Sequence, residues 1–315
     1  MLDASLYFVA RILVFGIQCL PLKCVSQLGR FFGWLAWRLD RRHRNVAVKN
    51  IADCFPEKSE GEVRSIAREN FKRIGENFTA SVKTASMGEK ALLKVLTVKY
   101  PERIKPNPDN RWIMAVGHFG NFELYARASL FLDNCRITTT YRGLRQPAID
   151  KLLLHLRHQS GALYFERRTE GDKLKEALRR GTIMLGLLAD QHAGDRGAWL
   201  PLFGRECSTS TAPVVFALRY ECPLHTAFCH RVGLGRWCIE MGEEIPTTKN
   251  GHPRPVDEIA TDVNHAYEAA IRQDPANWFW VHRRWKPASK IQLARLAAKK
   301  LPSADQPVDN SDTES

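Results

Sequence analysis

What the chain lacks narrows its class first. None of its eight cysteines forms a C-x-x-C pair, and they are scattered over 315 residues. That spacing argues against a disulfide framework or a zinc finger and suits a reducing compartment. There is no G-x-S-x-G stretch or other activated serine or cysteine, so a covalent acyl-enzyme is not expected. No internal repeat, low-complexity tract, finger, RRM or helix-turn-helix signature is present. Mean hydropathy is −0.32 and only one long apolar stretch occurs, which excludes a multi-span membrane protein. That stretch, residues 4–22 (ASLYFVARILVFGIQCLPL), has no positively charged segment before it and no A-x-A site after it, so it is not read as a cleaved signal peptide.

What the chain has in excess is positive charge. Forty-seven Lys and Arg stand against 34 Asp and Glu, a formal net charge of +13. Such an excess points to an anionic partner: nucleic acid, an acidic membrane surface, or an acidic or phosphorylated substrate. It is concentrated in two places. Arg38, Arg41, Arg42, Arg44 and Lys49 follow the N-terminal apolar region. Arg283, Arg284, Lys286, Lys290, Arg295, Lys299 and Lys300 lie between Pro275 and Lys300 with no acid among them. The last residues reverse the sign with Asp305, Asp309, Asp312 and Glu314.

Residues 4–22 approach the length of a spanning helix, but Arg11 near the centre is costly there. The next stretch, with Leu28, Phe31, Phe32, Leu35 and Trp37 before the basic cluster, has aromatics beside arginine as membrane interfaces favour. A membrane-associating segment over residues 1–38 is therefore expected, either spanning or lying in the interface, with buried core helices as the alternative.

Downstream, Ser59 with Glu62 forms a capping box opening a helix to Ala85. Beyond a Pro-containing linker, strands alternate with helices. RWIMAVG, RITTTY, TIMLGLLA, LHTAFCHR and RWCIEMG read as strands. Asn121–Leu132, Pro147–Ser160, Asp172–Arg180, Thr209–Tyr220 and Asp257–Arg272 read as helices. That alternation predicts an α/β sheet sandwiched by helices. The domain scheme is 1–38, a main domain over 39–290, and a basic then acidic tail over 291–315 that is expected to be disordered.

The segment AVGHFGNFEL carries the chemistry. A buried strand ends at Gly117, His118 occupies the turn, and Gly120 with Asn121 opens a helix bearing Glu123. A histidine beside free helix N–H groups, with a carboxylate on the first turn, suits a general base whose other ring nitrogen is oriented by Glu123. The bare spacing H-x4-[DE] is weak, since about one match is expected by chance. A second match, His252/Asp257, lacks a preceding strand and is read as coincidence.

Further candidates are Asp190, at the end of the strand TIMLGLLA, and Arg157, placed to pair with a phosphate or with Asp190. Asp190, His192 and Asp195 are of metal-ligating types, but no further ligand lies at a helical spacing and no metal is expected. DPANWFWVHRRWK, dense in Trp and Arg, suits a lipid, protein or nucleic-acid surface, or else a buried amphipathic helix.

Taken in order, five motifs resemble the bacterial lipid A biosynthesis (late) acyltransferases, the lauroyl and myristoyl transferases. They are RHRNVAVKNIADCFPE, HFGNFE, YRGLRQPAIDKLLLHLR, DQHAGDRG with PLFG, and WFWVHRRWK. The resemblance runs from about Leu2 to Pro287. It implies a glycerolipid-acyltransferase-like α/β fold, with a mixed central sheet flanked by helices and an N-terminal membrane-associating helix. It makes His118 and Glu123 the catalytic pair and Arg157, Asp190, Asn121 and Arg142 substrate-binding.

It also implies an acyl carrier protein as donor, a phosphorylated glycolipid acceptor and a membrane lipid surface as partners, no nucleic acid, no cofactor, and the cytoplasmic face of the bacterial inner membrane. The chain departs from the family at DPANWFW, where Pro-Glu-Gln often precedes the Trp, and at Gly143, where a Pro is usual. These departures touch the acceptor and chain length rather than the chemistry. A glycerophospholipid acyltransferase shares H-x4-[DE] but usually carries an E-G-T-R stretch, which is missing. Acylation of another glycolipid, or a non-catalytic membrane-surface or nucleic-acid-binding role, are the remaining alternatives.

Overall fold

The computed structural model describes residues 2–132 and 135–300. In chain order the helices and strands are α1 (Leu2–Cys19), α2 (Leu22–Leu39), α3 (Arg41–Cys54), α4 (Glu60–Ala85), α5 (Glu89–Leu92), β1 (Leu96–Lys99) and β2 (Arg111–Val116). They continue with β3 (Arg136–Tyr141), α6 (Pro147–His158), β4 (Leu163–Glu166), α7 (Gly171–Arg180), β5 (Ile183–Leu188), β6 (Ala198–Leu202) and β7 (Arg205–Thr209). The last are α8 (Ala212–Tyr220), β8 (Leu224–Gly233), β9 (Arg236–Glu244), β10 (Thr248–Lys249), β11 (His252–Pro253), α9 (Val256–Gln273) and α10 (Lys290–Lys300).

Seven strands form one sheet in the order β1-β9-β8-β2-β5-β3-β4. Pairing is parallel throughout except between β8 and β9, so the sheet is mixed. Its central strands are buried on both faces, which is why RWIMAV and IMLGLL are continuous apolar runs rather than alternating ones. The twofold side-chain period sends Ile113 and Ala115 of β2 into one core and Trp112, Met114 and Val116 into the other. The expected α/β sandwich is observed.

The capping box forms as expected: Ser59 accepts from the Glu62 N–H and the Glu62 carboxylate accepts from the Ser59 N–H. Helices α2 and α4 cross backbone to backbone at Gly29, Gly33 and Gly75, where any Cβ would strike the facing helix. Among the described residues no helix is long and apolar enough to cross a membrane. Nevertheless α1 leaves Phe8, Val9, Ile12, Leu13 and Phe15 more than half exposed.

Three segments differ from expectation. The helix predicted from Asn121 is a tight 3-10 run, Phe122–Leu130. WFWVHRRWK is not an amphipathic helix, and its aromatic side chains are largely enclosed, with only Arg283 and Lys286 exposed. It follows a short turn (Pro275–Asn277) as an irregular strap with Trp278, Trp280 and Arg284 buried. An irregular buried backbone needs outside donors, and helices α3 and α4 supply them. The Asn70 amide donates to the carbonyls of Ala276 and Trp278, and the Asn50 amide to those of Trp280 and His282. The start of the expected tail, Lys290–Lys300, is helical, while 301–315 lies outside the described residues.

Candidate active site

Strands β2 and β5 lie side by side with Val116 level with Leu188. Two residues beyond each, at the carboxyl end of the sheet, stand His118 and Asp190. The register therefore brings them together at the edge where open α/β sheets bind ligands. Tyr267 fixes the end of β2 by donating to the Val116 carbonyl (3.1 Å), and Tyr125 donates to the Ala227 carbonyl on β8 (3.1 Å).

Asp190 is buried, with 1 % of its side chain exposed. Its Oδ1 lies 2.8 Å from His118 Nδ1, and its Oδ2 accepts from the His118 backbone N–H (2.8 Å) and the Trp278 indole N–H (2.7 Å). Burial alone would raise this carboxyl. The adjacent His118 ring and the three hydrogen bonds outweigh it and hold Asp190 below the usual carboxylate range. With the carboxylate on Nδ1, the neutral ring carries its proton there and Nε2 is left as an acceptor. Gln191 Nε2 is 3.4 Å from that nitrogen. Phe122 and Phe279 flank the ring, with centroids 4.9 and 5.9 Å away.

This corrects the expected role of Glu123. It does not hold the His118 ring. Its carboxylate accepts two of the N–H groups of the Arg157 guanidinium, at 2.6 and 3.1 Å. Two residues that the spacing H-x4-[DE] suggested as a pair are thus divided between two pairs, His118–Asp190 and Glu123–Arg157. Arg157 is partly buried, and burial would depress its ionisation, but the Glu123 carboxylate more than compensates and the guanidinium is held charged. Arg157 does not pair with Asp190 as the sequence allowed.

His118, Asn121 and Glu123 line a cleft of ≈ 380 Å³ between α4 and the strap. The buried Asn121 Nδ2 has no protein partner. Glu123 also borders two further clefts. One, ≈ 460 Å³, runs between α4 and α6 past Leu124, Leu153 and Leu156. The other, ≈ 510 Å³, runs along the ends of β2, β3 and β5 past Val116, Ile137 and Leu188. Arg157 lines both of these. Arg142 stands exposed after β3 and lines none of the three.

Asp190, His192 and Asp195 are each engaged separately. Asp190 faces His118 and Trp278, and Asp195 accepts from the Ser289 hydroxyl (2.6 Å). The His192 N–H donates to His282 Nε2 (3.1 Å). Among the described residues no group of three His, Cys, Asp or Glu is placed to hold a metal. His252, of the second H-x4-[DE] match, is exposed in β11.

The pairing of His118 with Asp190 escaped sequence reading because it spans 72 residues. A partial signal existed, since both residues sit just past an apolar strand. Asn70 also left a trace, as a polar residue in the inward stripe of Val63, Ala67 and Phe71. Gln191 and Trp278 stood only as members of the motifs DQHAGDRG and WFWVHRRWK, with nothing in the sequence to link either to His118 or Asp190.

Comparison with known proteins settles the family. The family model described as bacterial lipid A biosynthesis acyltransferase matches residues 1–287. The chain belongs to that family. It is 27% identical over 276 residues to the lipid A biosynthesis lauroyltransferase of Escherichia coli K12, covering 85% of this chain and 87% of the relative. It is 24% identical to the E. coli K12 lipid A biosynthesis palmitoleoyltransferase, over 85% of this chain and 86% of the relative. It is likewise 24% identical to a lipid A biosynthesis acyltransferase of Haemophilus influenzae, over 86% and 87%. The protein is accordingly an O-acyltransferase of lipid A biosynthesis.

Proposed function

We propose that this acyltransferase moves a fatty acyl chain from acyl carrier protein to a hydroxyl of a lipid A precursor, with His118 as the general base and Asp190 as its orienting carboxylate. The observation that carries the reading is the His118–Asp190 contact, which leaves Nε2 as the ring's acceptor toward the cleft, with the Gln191 amide 3.4 Å away.

The reaction runs as a direct transfer. His118 Nε2 removes the acceptor hydroxyl proton as the oxygen attacks the thioester carbonyl. The tetrahedral intermediate collapses, the C–S bond breaks, and the imidazolium returns its proton to the departing thiolate. A positioned base of this kind contributes ~10²–10⁴ in rate. The imidazolium that forms is stabilised by the buried Asp190 carboxylate beside Nδ1. The unpartnered Asn121 amide and the Arg157 guanidinium are the donors for the negative charge that develops on the thioester oxygen or is carried by an acceptor phosphate. Glu123 holds Arg157 charged and in place. Ser81, on the wall of the cleft, is turned back onto the Phe78 carbonyl and does not serve as a nucleophile.

The two apolar clefts meeting at Glu123 suit the alkyl chains of donor and acceptor. The exposed face of α1 lies in the membrane interface, with the exposed Arg38, Arg41 and Arg42 turned to anionic headgroups on the cytoplasmic side of the inner membrane. Exposed Arg283 and Lys286 offer an acidic carrier protein a complementary surface. The test is to incubate the purified protein with acyl–acyl carrier protein and a lipid A precursor and to weigh the product. Added acyl mass, lost with His118→Ala, supports the reading. Transfer only to a lysophospholipid overturns it.

A further inference from the structure

We propose that Trp278 is a positioning residue of the catalytic site, its indole N–H fixing the Asp190 carboxylate so that Oδ1 stays on His118 Nδ1. The proposal rests on the reading of Asp190 as the orienting carboxylate. The last torsion of an aspartate is soft, so hydrogen bonds rather than rotamer preference decide where its two oxygens point. Here Oδ2 accepts two N–H groups, one from the His118 backbone and one from Trp278. Remove the indole and a single donor remains on Oδ2, leaving the carboxylate free to turn about it.

The indole is itself held firmly. Trp278 is 3 % exposed, and its ring lies edge-on to Trp280 with centroids 4.7 Å apart. The carbonyls of Ala276 and Trp278 accept from the Asn70 amide on α4. The same dipeptide also grips the other half of the catalytic pair. The Asn277 carbonyl accepts from the Gly120 N–H (3.0 Å), and Trp278 is bridged to Phe119 in an antiparallel contact. Gly120 permits this approach, since it has φ +49 and a Cβ there would meet the Cys229 carbonyl. Asn277 and Trp278 thus set both the loop carrying His118 and the carboxylate facing it. The C-terminal signature contributes to the catalytic site through this dipeptide.

Trp280 provides the control. It is equally buried and lies in the same strap, but its indole N–H donates to the Pro275 carbonyl of the preceding turn (2.6 Å), so Trp280→Phe removes that bond and keeps an aromatic ring against Trp278. A role in packing alone makes Trp278→Phe and Trp280→Phe behave alike. Positioning predicts that W278F lowers kcat by about ten- to a hundredfold while KM for both substrates stays within about twofold. W280F lowers the melting temperature and, assayed below it, keeps kcat within about twofold of wild type. In an Asp190→Ala background W278F costs no further kcat. Trp278→His, which keeps a ring N–H, recovers part of the loss and serves if W278F does not fold. Turnover at the wild-type rate in D190A overturns the reading of the site itself. Collapse of D190A with W278F matching W280F, or with kcat and KM moving together, overturns the positioning role alone.

Discussion

The N-terminal helices and the C-terminal strap are both rich in aromatics and arginine, yet the fold treats them oppositely. Helix α1 exposes Phe8 and Phe15 by 66% and 68%, whereas the strap buries Trp280 and Arg284 completely. The difference lies in the backbone. A helix satisfies its own N–H and C=O groups and can present an apolar face to a second medium. The strap has no regular ladder, so its carbonyls need donors from the protein, and Asn50, Asn70 and the sheet-end loops can provide them only if it is enclosed. Aromatic–cation density marks a segment that seeks a partner, and backbone satisfaction decides whether that partner is the core or a surface.

The largest effect that could break this comparison is at Arg284. Its guanidinium donates to the Ser208 carbonyl (2.6 Å) and to Thr209 Oγ1 (2.8 Å) from a fully buried position. Arg284→Ala leaves a cavity and removes two buried hydrogen bonds, to the Ser208 carbonyl and Thr209 Oγ1, and should cost about 3–5 kcal/mol in urea denaturation. A loss below about 1 kcal/mol would show that the strap is not integral to the core. Asn70→Ala should cost about 1–3 kcal/mol by orphaning the Ala276 carbonyl and leaving that of Trp278 only the Trp280 N–H, with the strap opening before the rest in hydrogen exchange.

A smaller effect depends on pH. Burial depresses His282 to about 4, helped by Lys286, Arg284 and His118 and opposed by Asp190. Its neutral Nε2 is needed to accept the His192 N–H. The unfolded chain takes up this proton near its ordinary value of 6.5 and the folded chain only near 4. The His282 contribution is therefore fully present above pH 6.5, declines as pH falls, and levels off below about 4. His282→Gln should flatten that part of the stability profile, and an unchanged slope would contradict it. The smallest change in stability is expected on α1. Phe8→Ser with Phe15→Ser should alter it by less than about 0.5 kcal/mol while releasing the protein from anionic vesicles in a flotation assay. Loss of folding instead would show that this face is core.

Much of the fold was legible because its signals are local. The apolar runs of β2 and β5 and the Ser59–Glu62 box depend on residues within a few positions of one another. His118 was legible as a base for the same reason. Its partner was not, because strand register rather than sequence distance places Asp190, and Glu123 five residues away is drawn off by an arginine 34 residues further on. The strap was illegible in kind, since its carbonyls are satisfied by asparagines more than 200 residues earlier.

The central claim is that Asp190, and not Glu123, holds the His118 ring. Proton NMR of protein carrying nitrogen-labelled histidine tests it most directly through the strongly deshielded, hydrogen-bonded imidazole N–H resonance, assigned to His118 by its loss in His118→Ala. That resonance should survive in Glu123→Gln and disappear in Asp190→Asn. Survival in Asp190→Asn with loss in Glu123→Gln would contradict the account.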